Sequence, residues 1–132
     1  MESKILLDTN AVLRYLLGDV EQQYNDVKQI LEVQPCIVSL EVIAETVHVL
    51  EKVYQAQRND IIDSFRSFMD DVVIPNGDVL LRALEQYDGT PKMDFIDCLM
   101  CGYKMARGYD ILTFDRKLKK RLDSIILPVG GK

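Results

Sequence analysis

The sequence predicts an α/β protein in which a central, mainly parallel sheet of about five short strands is covered by helices on both faces. Two observations predict this class. Short apolar runs rich in β-branched residues recur along the chain, and longer stretches with helical periodicity lie between them. Strands that are apolar throughout are typical of parallel sheets buried on both faces, and alternation with helices is typical of three-layer folds. The runs are residues 4–7, 36–38, 72–74, 111–114 and 125–127.

The helices are predicted from apolar residues that recur at three- and four-residue spacing. Gly77 and Gly108 fall at helix boundaries, and the sequence Gly89-Thr90-Pro91 predicts a loop. We expect residues 1–127 to form a single domain, for which the chain of 132 residues is long enough, and residues 128–132 to form a loose tail. The helical stretches are 11–17, 22–33, 40–54, 60–70, 78–87, 94–107 and 116–122.

Composition limits the classes of protein to consider. The content of 48% hydrophobic and 28% charged residues is that of a soluble globular protein, and no apolar run approaches the ~18 residues of a membrane span. The start, MESKILLDTN, does not resemble a signal peptide, and three cysteines do not form an extracellular framework, so a reduced, cytoplasmic protein is predicted. A net charge of −5 argues against a protein that coats nucleic acid by charge, but not against an enzyme that acts on it.

Two carboxylates come directly after predicted strands. Asp8 follows the run 4–7, and Asp115 follows the run 111–114 in the sequence DILTFD. Active sites of open α/β sheets lie beyond the carboxyl ends of the strands, so the two acids converge if their strands are neighbours. Each acid could instead cap the helix that follows it, and taken alone Asp115 is explained by capping.

Two further carboxylates lie at the start of a predicted helix in KMDFIDCLMCGYKMA. Asp94 and Asp97 are three residues apart and so share a face of this helix, which is apolar nearly all round and therefore buried. Burying carboxylates is costly unless something compensates them. Asp94 is explained equally well as a helix cap. Capping explains Asp97 less well, because it lies one turn into the helix, and a functional role is favoured.

The segment SLEVIAETVHVLEK carries a polar stripe that includes Glu41, Glu45 and His48. Helical periodicity places this stripe opposite the apolar face, so Glu45 is expected to face solvent. Periodicity does not distinguish Glu45 from Glu41.

Four stretches in order, ILLDTNAVLRYLLGD, VIAETVHVLEK, DFIDCLMCGYKMA and ILTFDRKLKK, resemble PIN-domain ribonucleases, close to the VapC-type toxins of toxin–antitoxin pairs. The resemblance implies a PIN-like three-layer α/β/α fold and small residues after the third acid, here Cys98, Cys101 and Gly102. It also implies a catalytic, metal-binding quartet with an accessory acid and supporting polar side chains. The quartet is Asp8, Glu45, Asp97 and Asp115, the accessory acid is Asp94, and the supporting residues are Thr9, Asn10 and Thr113.

Clustered carboxylates repel one another and must take up protons or bind cations. An all-oxygen ligand set selects a hard ion, Mg²⁺ or Mn²⁺, and the matching reaction is hydrolysis of a phosphodiester. We assign direct coordination to Asp8 and Asp97. Glu45 binds metal or orients the attacking water, and Asp115 acts directly or through water.

The basic run DRKLKKR beyond Asp115 suits contact with a phosphate backbone, although a solvated basic face explains it equally well. The residues proposed for RNA are Arg116, Lys117, Lys119 and Lys120. The resemblance implies cleavage of a tRNA or ribosomal RNA and inhibition by a small antitoxin protein. The amphipathic stretches 22–33 and 40–54 could form the antitoxin groove or a homodimer face, so a homodimer or a toxin–antitoxin hetero-oligomer is expected.

Other classes fit less well. A receiver domain needs an acidic pair near its start and a lysine after a later strand, and a haloacid-dehalogenase-type phosphatase needs D-x-D where this chain has Asp8-Thr9-Asn10. A non-catalytic RNA- or protein-binding module with a vestigial acidic pocket remains an alternative.

Overall fold

The computed structural model describes residues 5–127, so the predicted loose tail at 128–132 lies outside the described residues. The chain divides between Gly77 and Asp78 into two compact units, here called the first and the second unit. The single domain expected over residues 1–127 stays a prediction. No helix in the described part of the chain is both long and apolar enough to cross a membrane.

The first unit contains a parallel pairing of short strands, as predicted. Strands β1 and β2 pair in parallel, with Ile5 opposite Cys36, and Ile37 forms a parallel bridge to Val73. The predicted runs 4–7, 36–38 and 72–74 therefore lie side by side where they are described. The elements of this unit are β1 (Ile5–Leu6), α1 (Thr9–Leu17), α2 (Glu21–Val33), β2 (Cys36–Ile37), α3 (Leu40–Lys52) and α4 (Arg58–Phe68).

Apolar residues at helical spacing build the core of the first unit. Ile43 and Val47, four residues apart on α3, are fully buried, and so is Val12 on α1. Phe65 and Phe68 on α4 meet edge to face, with ring centroids 6.2 Å apart. Burial of these side chains orients α1 and α3, and with them the polar residues at the start of α1 and on the outer face of α3.

The second unit is helical in its described residues, with α5 (Gly77–Gly89, whose first residue closes the first unit), α6 (Phe95–Arg107) and α7 (Arg116–Ser124). Helices α5 and α6 pack closely: Tyr87 and Phe95 meet edge to face at 5.4 Å, and Arg107 pairs with Asp78. Leu118 and Leu122 of α7 are buried with Cys101 of α6. This packing places the N-termini of α6 and α7, where three acids lie, in one unit.

The predicted number of about five strands is wrong for the described residues, which hold two strands and one bridge. The runs 111–114 and 125–127 carry no strand, and Leu112, Phe114 and Ile126 are 88%, 94% and 91% exposed. The physical reason is that a strand requires ladder hydrogen bonds from a neighbour, whereas an apolar run records only a local preference. The predicted helices, which satisfy their backbone groups locally, are all present.

Candidate active site

Asp8 lies just beyond β1, at the carboxyl end of the first strand, as the sequence predicts. Its Oδ1 accepts a hydrogen bond of 2.8 Å from the backbone N–H of Ala11, so Asp8 is the N-cap of α1. The side chain is exposed. Capping engages one carboxylate oxygen, and the second oxygen remains as an acceptor at the helix N-terminus.

Thr9 connects the start of α1 to α3. Its Oγ1 donates a hydrogen bond of 2.8 Å to Oε1 of Glu45. Glu45 is exposed, as periodicity predicted, but the contact ties it to the residue directly after Asp8. This contact distinguishes Glu45 from Glu41, which helical spacing alone did not. Asn10 lies exposed in the first turn of α1.

In the second unit, Asp94 and Asp97 occupy the start of α6. Asp94 caps the helix through a hydrogen bond of 3.3 Å from the N–H of Ile96 to its Oδ2. Asp97 lies in the first turn and is only partly exposed. Partial burial raises the pKa of Asp97, and the neighbouring charges of Asp94 and Asp115 raise it further. The charged form of Asp97 is therefore less stable than that of an isolated carboxylate, and a nearby cation would offset this cost.

Asp115 caps α7 by accepting a hydrogen bond of 2.9 Å from the N–H of Leu118. Thr113, predicted as a supporting residue, accepts a hydrogen bond of 3.1 Å from the backbone N–H of Asp115. Thr113 therefore shapes the turn that presents the acid. Capping and a functional role are compatible in Asp115, because the cap uses Oδ1 and leaves Oδ2 available.

Asp94, Asp97 and Asp115 line one cavity of about 800 Å³, open between the start of α6, the loop before it and one face of α7. Lys117 and Lys120 also line it, whereas Arg116 and Lys119 of the predicted RNA-binding set do not. Arg121 lines the cavity as well, and its Nε donates a hydrogen bond of 2.7 Å to Oε1 of the buried Gln86. The site residues predicted from the sequence did not include Gln86 or Arg121. Gln86 could have been noticed because it is a polar residue at a core-facing position of an amphipathic helix.

The donor chemistry fits a hard divalent cation. The candidate ligands are all carboxylates, and a partly buried acid whose pKa is raised by like charges is stabilised by a cation. Within residues 5–127, no three acidic, histidine or cysteine side chains stand close enough together to hold an ion as they are arranged. In the second unit, Asp97 and the uncapped oxygens of Asp94 and Asp115 are available to a cation. In the first unit, the uncapped oxygen of Asp8 and the carboxylate of Glu45 are available.

Asp8 follows a strand of a parallel pair, and Asp8, Asp94 and Asp115 each cap a helix. Active sites of open α/β folds lie beyond the carboxyl ends of parallel strands, and acidic sites there are found in nucleases and phosphotransfer proteins. Comparison with models of protein families matches residues 5–122 to the PIN domain. The chain belongs to the PIN domain family, whose members are generally nucleases. The match includes Asp8, Glu45, Asp94, Asp97 and Asp115. Neither the comparison with curated proteins nor that with solved structures found a match.

Proposed function

We propose that this PIN domain is a Mg²⁺- or Mn²⁺-dependent endoribonuclease and the toxin of a VapBC-type toxin–antitoxin pair that acts in the cytoplasm. The observation that carries the nuclease proposal is the partial burial of Asp97 beside two other acids, which raises its pKa. Partial burial, and then the charges of Asp94 and Asp115, raise the pKa of this carboxylate. Such an arrangement does not favour stability, and groups with perturbed pKa values concentrate at functional sites. Family membership supplies the reaction class, since PIN domains are generally nucleases.

In the proposed mechanism each acid has a separate role. Asp8 and Asp97 would hold the cation, and Asp115 would contribute its uncapped oxygen directly or through water. Glu45, whose carboxylate accepts a hydrogen bond from the hydroxyl of Thr9, would bind the cation or position the attacking water. A bound divalent ion would stabilise charge on the phosphorus oxygens and lower the pKa of water. Asp94 adds negative charge beside Asp97 and so strengthens its affinity for a cation.

The direct test is to incubate the purified chain with cellular RNA in Mg²⁺, in Mn²⁺ and in excess chelator, and to map the cut ends. We expect internal cuts that require the divalent ion. The same preparation of the Asp97→Asn variant should not cut, which excludes a contaminating nuclease. Cleavage that persists in chelator would contradict the metal-dependent mechanism. RNA binding without cleavage under all conditions would favour the alternative, a non-catalytic PIN-like module.

A pair of substitutions at Asp8 separates its cap from its charge. Asn caps a helix as well as Asp does, so Asp8→Asn should lose activity by at least about tenfold with little change in stability. Asp8→Ala should lose activity similarly and also lower the free energy of unfolding by about 1 kcal/mol. Thermal or urea unfolding measures the second effect. Full activity in Asp8→Asn would show that Asp8 is only a cap.

Partners follow from the proposed class. The substrate is RNA, possible targets being tRNA and ribosomal RNA, and the inhibitor is a small antitoxin protein. The first unit offers apolar surface for a protein partner, because Ile30 and Val33 of α2 and Val53 after α3 are 39%, 80% and 68% exposed. A homodimer or a toxin–antitoxin hetero-oligomer would cover such residues, and light scattering with and without the antitoxin would distinguish the two.

A further inference from the structure

Helix α7 carries basic residues on two different faces. Lys117, Lys120 and Arg121 are spaced as a helix face and line the cavity of the second unit, and we call them the cavity row. Arg116 and Lys119, which are exposed as Lys117 and Lys120 are, do not line the cavity, and we call them the outer pair. Lys119 instead lies 4.0 Å from Asp123 in an exposed ion pair. The helix therefore divides the basic run into three residues that line the cavity and two that do not.

We propose that the cavity row binds the phosphates of a single-stranded RNA segment and that the outer pair does not. This inference rests on the proposed function, since it names how the substrate of that site is held. The cavity of about 800 Å³ lies in the size range of pockets that hold small molecules, so a single strand fits it better than a duplex does.

Charge supports a phosphate as the occupant. The three acids alone would repel a polyanion, but the cavity row and Lys92, which also lines the cavity, bring four cations to the same walls. Among the residues that the structure describes, no aromatic side chain lines the cavity on which a base could stack. The four cations at this wall suit contacts with the phosphate backbone, which position a nucleic acid without reading its bases.

Arg121 is held differently from the two lysines. Its Nε is bound at 2.7 Å to Gln86, which is 7% exposed and whose backbone carbonyl also accepts a hydrogen bond from the N–H of Thr90 at 2.9 Å. Gln86 thus joins α5, the loop before α6 and α7. Because the bond fixes the guanidinium through Nε, the terminal nitrogens, which form two-pronged contacts with phosphates, point in a defined direction.

The test compares two variants that each remove two positive charges from α7. Lys117→Gln/Lys120→Gln alters the cavity row, and Arg116→Gln/Lys119→Gln alters the outer pair. Both are made in the full chain carrying Asp97→Asn, so that a labelled single-stranded oligoribonucleotide stays intact, and binding is measured by fluorescence anisotropy at several salt concentrations. We expect the slope of log affinity against log salt to become shallower by about 1.4 in the first variant, about 0.7 for each lost phosphate contact, and to stay unchanged in the second.

An equal change in both variants, a larger change for the outer pair, or no change in either would overturn the proposal. Arg121→Lys adds an independent measurement, because it keeps the charge and loses the planar fork. We expect it to weaken binding about fivefold, the equivalent of one hydrogen bond, without altering the slope. Unchanged affinity would remove Arg121 from the row. Circular dichroism of each variant verifies that α7 remains folded.

The outcomes distinguish this inference from the proposed function. In the chain with an intact Asp97, the cavity-row variant should raise KM for RNA cleavage and leave kcat unchanged, as expected for loss of uniform binding. Cleavage by the unsubstituted chain together with equal slopes would reject the cavity row and keep the nuclease. A shallower slope in the cavity-row variant alone, without cleavage by the unsubstituted chain in any divalent ion, would keep the RNA-binding row and reject the nuclease.

Discussion

Replacing Asp97 by Asn is expected to reduce Mg²⁺- or Mn²⁺-dependent RNA cleavage by at least about a hundredfold while leaving the fold intact. The magnitude follows because loss of even an outer partner of a metal ligand costs about 10- to 100-fold, and Asp97 is assigned as a ligand itself. Asn has nearly the same shape, so α6 should still form. The rate of cleavage of a labelled RNA, measured beside circular dichroism of the same sample, provides the test.

The effect of the divalent ion on the melting temperature tests, independently of activity, whether Asp97 binds the ion. A cation that binds the folded chain raises its melting temperature by mass action. Mg²⁺ or Mn²⁺ should therefore raise Tm of the unsubstituted chain and have a smaller effect on Asp97→Asn. Asp63→Asn, at an exposed position of α4 outside the proposed site, is the matched control and should retain the full shift. Equal shifts in all three chains would show that Asp97 does not bind the ion.

The raised pKa of Asp97 also predicts a pH dependence of stability in chelator. A carboxyl group whose folded pKa lies above its unfolded pKa keeps its proton longer in the folded state. Its contribution to stability is complete below the unfolded pKa, about 3.9, and is lost as pH rises through the raised folded value. Asp97→Asn has no such loss, so its Tm relative to the unsubstituted chain should increase as pH rises through this window. A constant difference would contradict the cause assigned to the pKa shift.

Replacing Gly102 by Ala should lower the free energy of unfolding by about 1–3 kcal/mol, the usual cost of overpacking. A Cβ at Gly102 would lie 2.6 Å from the backbone carbonyl oxygen of Val79 and 3.2 Å from the backbone N of Ala83. Both atoms belong to the backbone of α5 and cannot turn away as a side chain does. Helices α5 and α6 would have to separate, which urea unfolding would detect.

Gly89→Ala is the matched control for Gly102. A Cβ at Gly89, at the end of α5, would meet nothing within 4 Å. Ala is favoured over Gly in a helix by up to about 1 kcal/mol, so Gly89→Ala should be neutral or stabilising. The same propensity acts at Gly102, and a destabilisation there therefore isolates the contact with α5. Equal effects of the two substitutions would contradict a close helix approach.

The helix-capping acids were predictable from the local sequence. Asp8 and Asp115 were found because each follows an apolar run, and both were expected to be able to cap the next helix, which the structure confirms. A cap depends on residues within three positions, so local sequence is sufficient to predict it. The assignment of these acids to a metal remains a prediction, whereas PIN family membership, first inferred from four motifs, is confirmed by the family match.

The roles of Glu45 and of the basic run could not be predicted from sequence patterns alone. Periodicity placed Glu45 on the solvent side of α3 and could not separate it from Glu41, because the choice depends on Thr9, 36 residues earlier in the chain. Nothing in the sequence distinguished among the four basic residues proposed to bind RNA. Only the position of the cavity against α7 separates Lys117 and Lys120 from Arg116 and Lys119 and adds Arg121 to the first group.

The sequence by itself determined the helices, their caps and the acids that begin them, because a helix satisfies its hydrogen bonds within four residues and its caps within three. The tertiary structure alone decided which apolar runs pair as strands, which side chain meets Thr9 and which glycine permits α5 and α6 to approach. These features join residues far apart in the chain. Their stability comes from packing and ladder bonds between elements, which no local pattern of residues records.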